Sequence, residues 1–425
     1  MSRHVHELLH LALSTEPEAR DALYILCTVN YTKPIIGLIL SDSSFTSLAS
    51  VVIQTPDVSQ AVIGRLASLT AVAFVSYPEQ AINSCWFLSS FLKFLNNTSV
   101  FALFQKLATF DIPKLNNLTN TNFSNNLSNG SLSNFNGNVN FASLTNSKSK
   151  SVSSWLKKYG FANDIVNELS KINFNRRVKP DDYYFDEEVQ KCNSLYELII
   201  HSSANPILFP TLASEEVIIS LSQTFLQAPP FLTGKRWEAI RALTCERTLS
   251  LISPLVANAV SQLYTPHSEP LQDVVEPVYF ITRTASLSHE ISCYLKETQI
   301  FQVLLRYVLQ FPDATFLHKA FREFVKMSLK NNELCPIAVD IYLQLFISET
   351  KIRAYGALTA TFWDILLFIN KKKGKVDILK VSLKRSRFWK EYRTFEKKYL
   401  KKYRKIINSN YGGRIEVINK PRIVD

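Results

Sequence analysis

The chain has 425 residues, 46% of them apolar and 20% charged, enough for two or three folded domains or one elongated repeat array. It holds only 10 glycines, well under the roughly 7% usual in proteins, and none fits GxGxxG, GxxxxGK[ST] or GxSxG, which excludes phosphate-cradling loops and nucleophile elbows of those types. The net charge of +12 is concentrated at one end: residues 371–425 carry 19 Lys/Arg against 5 Asp/Glu, while the first 370 hold 29 against 31.

The opening stretch MSRHVHELLHLALSTEPEAR carries charges early and lacks a long apolar run, so it does not read as a secretory leader. Within it, His6 and His10 stand one helical turn apart and could hold a metal together. No cysteine accompanies them, and a solvated surface pair is the expectation. Apolar faces at helical pitch then recur over 63–75, 87–107, 217–226 and 239–256. Ile300, Phe301, Leu304, Leu305 and Val308 make another face, as do Leu317, Ala320, Phe321, Phe324 and Val325. Turn signals separate these runs at Ser76-Tyr77-Pro78, Asn96-Asn97-Thr98, Pro229-Pro230, Pro266, Phe311-Pro312-Asp313 and Cys335-Pro336.

Strand-like alternation is scarce. Many short helices joined by brief Pro/Asn turns predict an all-α, armadillo- or HEAT-like α-solenoid of stacked helices. No exact repeat period is visible, and one large irregular helical bundle is the alternative. Residues 115–153 break the pattern with NNLTNTNFSNNLSNGSLSNFNGNVN at their centre, a composition too polar to bury a core. They are expected to form a disordered Asn/Ser-rich insert between helical repeats at 1–114 and 154–370, followed by a basic C-terminal helix and tail at 371–425. A second loop is expected over 176–188, with the paired carboxylates Asp181-Asp182 and Glu187-Glu188 solvated on it.

In the tail, Trp389, Tyr392, Phe395, Tyr399, Tyr403 and Ile406 recur every three or four residues, and lysines and arginines fill much of the remaining circumference. The spacing predicts an amphipathic helix whose aromatic stripe packs on the last repeat. A docking site for an acidic partner, nucleic acid or anionic lipid is the functional alternative. The six cysteines, Cys27, Cys85, Cys192, Cys245, Cys293 and Cys335, are widely spaced without a CxxC, so reduced, buried thiols are expected rather than disulfides or zinc ligands. His289-Glu290 is followed by Cys293 where a zincin would have its second histidine, so that motif fails. No Gly-Asp dipeptide occurs, which removes the metal-binding motifs of Ser/Thr phosphatases. No catalytic, cofactor or metal set is expected, and the absence of an apolar run of 18 residues predicts no transmembrane segment.

Several segments, read in order, resemble the SAPS-domain family of regulatory subunits of type-6-like Ser/Thr protein phosphatases. They include Tyr77-Pro78 with 96–107, Trp155-Leu156 with Ile165-Val166 and Leu169, and Asn193-Ser194 with Leu198-Ile199-Ile200 and Ser202. Asn205-Pro206-Ile207-Leu208 with Thr211-Leu212, Pro230 with Gly234-Lys235-Arg236, and Phe311-Pro312 with Phe316-Leu317-His318 continue the series. Arg353 with Tyr355-Gly356 and Leu358, then Trp389 with Tyr392, complete it. The chain departs from the family pattern at Gly356-Ala357, where a Gly-His is usual, and at Ala314-Thr315, where Asn-Asn is usual. The resemblance implies a non-enzymatic scaffold whose partner is a type-6-like phosphatase catalytic subunit, with a further scaffold subunit as a second partner. It singles out Arg236, His318, Arg353, Tyr355 and Trp389 as partner-binding candidates. Phe316, Leu317 and Trp389 are also expected as core packing, and Gly356 as a point of close backbone approach. The expected location is the cytoplasm, with the nucleus also open. A nucleic-acid or anionic-membrane binder driven by the basic tail is the alternative function.

Overall fold

A computed structural model of the chain describes residues 2–27, 32–109, 152–174, 178–225, 227–266, 272–352, 356–401 and 403, and among them every regular element is helical. Local chemistry sets many of the boundaries. Side chains of Asp42, Ser59, Asp186 and Ser288 accept backbone N–H groups at four helix starts. Pro78 and Pro230 open two more, where a missing N–H removes no helical hydrogen bond.

The first compact unit is Met1–Ile252. It contains α1 (Ser2–Ala12), α2 (Ala19–Cys27), α3 (Thr32–Ser41), α4 (Ser43–Gln54), α5 (Gln60–Ser76) and α6 (Pro78–Ser84). A 3-10 helix, Trp86–Phe94, leads to α7 (Thr98–Thr109). Then come α8 (Val152–Lys158), α9 (Phe161–Leu169), α10 (Glu187–Ser203), α11 (Phe209–Leu212), α12 (Glu215–Ser222) and α13 (Pro230–Ala242). The division between the units falls inside α14 (Leu249–Tyr264). The second unit, Ser253–Asp425, continues with α15 (Gln272–Leu287), α16 (His289–Lys296), α17 (Ile300–Gln310) and α18 (Thr315–Ser328). It is completed by α19 (Cys335–Ile352), α20 (Ala357–Lys372), α21 (Asp377–Arg385) and α22 (Trp389–Phe395), which passes into a π-helical turn at Glu396–Leu400.

Each unit is built of two rows of stacked helices. In the first, α2, α5, α7, α10 and α13 pack in succession, and α4, the 3-10 helix, α9 and α12 form the facing row. In the second, α15, α18 and α20 make one row and α17, α19 and α21 the other. The rows meet through apolar faces. Leu317, Ala320, Phe321, Phe324 and Val325 of α18 are all fully buried, each large side chain contributing about 1.5–3 kcal/mol of transfer free energy. Aromatic rings bridge the rows: Phe301 lies 5.2 Å from Phe324, and Phe321 lies 5.3 Å from Tyr342. Polar groups inside find partners, as where the Tyr342 hydroxyl donates to the Phe301 carbonyl at 2.9 Å.

Several expectations change in detail. The face predicted over 239–256 is broken between α13 and α14. There the Thr248 hydroxyl donates to the Leu243 carbonyl at 2.7 Å and accepts from the Cys245 N–H at 3.0 Å, closing a turn that competes with helix. The face over 87–107 is a 3-10 helix followed by α7, parted at Asn97, whose side chain accepts from Ser99 N–H at 3.0 Å. Cys335-Pro336 is a helix start, with Asn331 Oδ1 accepting from Glu333 and Leu334 N–H just before it. Glu187 and Glu188 lie in the first turn of α10, not in a loop, because Asp186 caps that helix. The basic C-terminal region is not one helix: α20 runs on to Lys372, and α21 and α22 are separate.

Most of the Asn-rich insert lies outside the described residues. Its last two positions, Val152 and Ser153, belong to α8 and are buried. Asn205 Nδ2 donates both to the Ala108 carbonyl and to Ser153 Oγ, each at 2.7 Å. One buried amide therefore joins the two points at which the chain leaves and re-enters the described fold. Replacing 112–150 by a short Gly/Ser linker is expected to leave the unfolding free energy within about 1 kcal/mol of the parent, since loop-closure cost changes only slowly with length. Thermal denaturation followed by circular dichroism checks this; loss of cooperative unfolding would refute it.

Candidate functional site

Of the five residues singled out by resemblance, three are described. Arg236 is 6% exposed on α13. Its Nη1 donates to the carbonyls of Leu221, Ser222 and Gln223 at 3.2–3.4 Å, so it closes the C-terminal end of α12. Burial pulls its pKa below the ordinary arginine value. His318, on α18, is 2% exposed and its Nε2 lies 3.0 Å from the Phe311 carbonyl, which fixes that nitrogen as the N–H. Burial lowers its pKa and keeps the ring neutral. Trp389 is half-buried at the start of α22, beside Tyr392 at 6.0 Å and under the Arg393 guanidinium at 5.5 Å. Arg353 and Tyr355 lie outside the described residues.

Two neighbours of these residues differ from expectation. Phe316 is 72% exposed, whereas Leu317 beside it is fully buried. A step of one residue turns the side chain roughly 100° around a helix, off the face that meets α15 and α20. Gly356 precedes α20 with φ +137°, and a Cβ there would meet only the Thr359 hydroxyl at 4.0 Å. Backbone conformation, not close approach, requires glycine at that position.

The residues that sequence reasoning missed are aromatic and exposed. Tyr184 and Phe185 are each 84% exposed in the segment DDYYFDEE ahead of α10. Their backbone is held in place. Tyr183 packs 5.5 Å from Phe231, its carbonyl accepts from Gln190 Nε2 at 2.7 Å, and Asp186 caps α10 immediately afterwards. Two large rings thus stand in water on a fixed turn flanked by the exposed carboxylates Asp181, Asp182 and Glu187. The signal available in the sequence was the run of three aromatics, Tyr183-Tyr184-Phe185, between pairs of carboxylates.

At the C-terminal end, Tyr392, Phe395 and Leu400 are buried, and Trp363 of α20 lies tilted against Phe395 at 5.3 Å and stacks on Tyr403 at 4.1 Å. The π turn adds one residue to the repeat, so Leu400 takes the inward place that a regular helix would give Tyr399. Lys390, Lys397, Lys398 and Lys401 face outward and are exposed. Ile406, the last member of the predicted stripe, lies outside the described residues.

No protein-family model matches the chain, and no curated protein does. Chemistry must therefore be judged from the side chains themselves. An apolar cleft lined by Trp86, Leu92, Phe104, Trp155, Tyr159 and Asp164 encloses about 10 Å³, the lower limit for one water molecule. Burial, then the charge of Glu168, raises the Asp164 pKa. Burial also pushes the thiols of Cys27, Cys85 and Cys192 up to about 12 and that of Cys335 to about 11, so these four stay protonated at neutral pH. Among the described residues no single helix is long and apolar enough to cross a membrane.

Proposed function

We propose that this chain is a non-catalytic regulatory scaffold, an armadillo- or HEAT-like α-solenoid that binds a type-6-like Ser/Thr protein phosphatase catalytic subunit and directs its activity. The resemblance of the ordered short segments to the SAPS-domain family supports the choice of partner. The observation that carries the binding role is the Tyr184–Phe185 turn: two aromatic side chains, each 84% exposed, on a backbone pinned by packing and capping. Exposed aromatics on rigid supports are the side chains that most often dominate binding energy at protein interfaces. Arg236 and His318 serve this function by holding helices in place, not by touching the partner. The cytoplasm, and also the nucleus, would be its place of action.

The experiment is capture with the tagged full-length chain, followed by mass spectrometry. A type-6-like catalytic subunit is the expected specific partner. The Tyr184→Ser/Phe185→Ser double variant is expected to lose at least about tenfold of that capture while keeping its melting temperature. Specific partners without any phosphatase catalytic chain would overturn the proposal.

The outward lysines of the π turn and α22 favour one other reading, a surface for nucleic acid or anionic lipid. Replacing Lys390, Lys397, Lys398 and Lys401 by Gln tests it better than truncation, which would uncover Trp363. If the reading holds, binding to RNA or phosphatidylserine vesicles falls, and its salt dependence flattens because fewer counterions are released.

A further inference from the structure

Three side chains of the second unit converge at a point that no local motif announces. His289 and Cys293 lie one turn apart on α16, with the histidine Nε2 3.6 Å from the cysteine Sγ. Glu333, in the turn before α19, brings a carboxylate oxygen to the same point, so that imidazole nitrogen, thiol sulfur and carboxylate oxygen all lie within 4.8 Å of one another. His289 is exposed, and Cys293 and Glu333 are half-buried, which leaves the point accessible from solvent.

We infer that these three side chains form a binding site for a zinc-class divalent cation, with a fourth position left for water or an exogenous ligand. The distances argue for it. Zn–S and Zn–N bonds of about 2.3 and 2.0 Å at a tetrahedral angle put sulfur and nitrogen roughly 3.5 Å apart, close to the 3.6 Å between Cys293 Sγ and His289 Nε2. Closing the carboxylate onto the same centre takes a side-chain movement on the order of 1 Å, since ligand atoms in such a site lie about 3.5 Å apart. The donor set, one thiolate, one imidazole and one carboxylate, suits zinc better than the all-oxygen surroundings of magnesium or calcium.

A nucleophilic cysteine relay is the rival use of the same residues. In a relay the carboxylate orients the histidine and stays away from the thiol. Here Glu333 approaches both, as a third ligand to a shared centre would.

The site is also braced. Asn331 Nδ2 donates to Ser292 Oγ at 2.8 Å, which ties the Glu333 turn to the residue next to Cys293. Its Oδ1 accepts from the N–H groups of Glu333 at 2.9 Å and Leu334 at 3.2 Å. Ser288 caps α16, and Ser292 Oγ lies 3.0 Å from the Ala285 and Ser288 carbonyls, which it can donate to. Lys296 Nζ lies 3.3 Å from Glu333 Oε2 and helps hold the carboxylate in place. On binding, the Cys293 thiol releases its proton to solvent and its sulfur lone pair forms the bond to the metal; nothing is oxidised or reduced.

The test uses the full-length chain, stripped with chelator and titrated with Co2+ as a spectroscopic stand-in for Zn2+. The expected result is one equivalent of cobalt with thiolate-to-metal charge-transfer absorption and tetrahedral d–d bands, all bleached by Zn2+. The Cys293→Ser variant is expected to lose the charge-transfer band with an unchanged circular dichroism spectrum. The Cys245→Ser control, at another half-buried thiol, retains it. His289→Ala weakens cobalt binding at least tenfold, and Asn331→Ala, which only loosens the brace, does so by roughly 10-fold. A His6→Ala/His10→Ala variant leaves the charge-transfer band intact. Absence of the band at saturating cobalt, or its survival in Cys293→Ser, overturns the assignment.

Discussion

Glu168→Ala is expected to destabilise the first unit by about 3 kcal/mol at neutral pH, in the range for breaking a buried ion pair. Glu168 sits on α9 at 8% exposure and takes Lys171 Nζ and Lys191 Nζ on its two oxygens, each at 2.6 Å. Lys191 comes from α10, so the pair ties one row of helices to the other. Its side chain is 18% exposed and would lose its carboxylate in a largely dry place, whereas Lys171, at 62%, would return to water at little cost. Burial acts to raise the Glu168 pKa, but the hydrogen bonds and charges of the two lysines outweigh it and hold the carboxyl below its ordinary value. A carboxylate with a depressed folded-state pKa contributes stability that is complete above the unfolded value of about 4.3 and disappears as pH falls through the folded one. The parent and the variant should therefore differ fully at pH 7 and converge in acid. Nearby Asp164, whose raised pKa reflects burial and then Glu168, works the other way and trims the difference. Urea denaturation of both proteins across pH measures the gap; a gap independent of pH would show that the ion pair is not its source.

Phe346→Ala is expected to cost the second unit about 4 kcal/mol. Phe346 of α19 is 1% exposed at the centre of an aromatic chain. Its ring lies 4.7 Å from Phe362 of α20, 5.5 Å from Tyr342 in a stacked arrangement, and 6.3 Å from Phe321 of α18. Truncation removes the transfer free energy of the ring and leaves a cavity among three helices that cannot all close on it. Phe346→Leu, which keeps most of the volume, should cost about 1–2 kcal/mol. Phe316→Ala supplies the contrast. That ring is 72% exposed, and its removal should change stability by no more than about 0.5 kcal/mol. Chemical denaturation of the three variants decides the matter; equal losses at positions 316 and 346 would contradict the packing described.

How much of this was legible in the sequence depends on the range of the interaction. The faces over 63–75 and at Leu317, Ala320, Phe321, Phe324 and Val325 could be read directly, because amphipathic spacing is a local property. They emerge as α5 and α18 with the expected residues inside. The break at Thr248 was hidden, since it turns on one hydroxyl bonding to two backbone groups rather than on an interruption of the apolar pattern. The inward position of Leu400 was hidden as well, because a single π turn shifts the register without altering composition. The surroundings of the candidates chosen by resemblance were hidden too, since the fold encloses Arg236 and His318 against backbone carbonyls that lie 7–15 residues away in the chain.

The amino-acid sequence alone determined that this chain is helical and that its positive charge gathers at one end, since propensity and spacing act within a few residues. Tertiary structure alone decided which side chains meet. It stacked the helices in two rows within each unit, drew Ala108 and Ser153 to the same asparagine, left Tyr184 and Phe185 in water, and carried Glu333 to His289 and Cys293. Those juxtapositions depend on how apolar faces distant along the chain pack together, and no local pattern encodes the partner that a face will find.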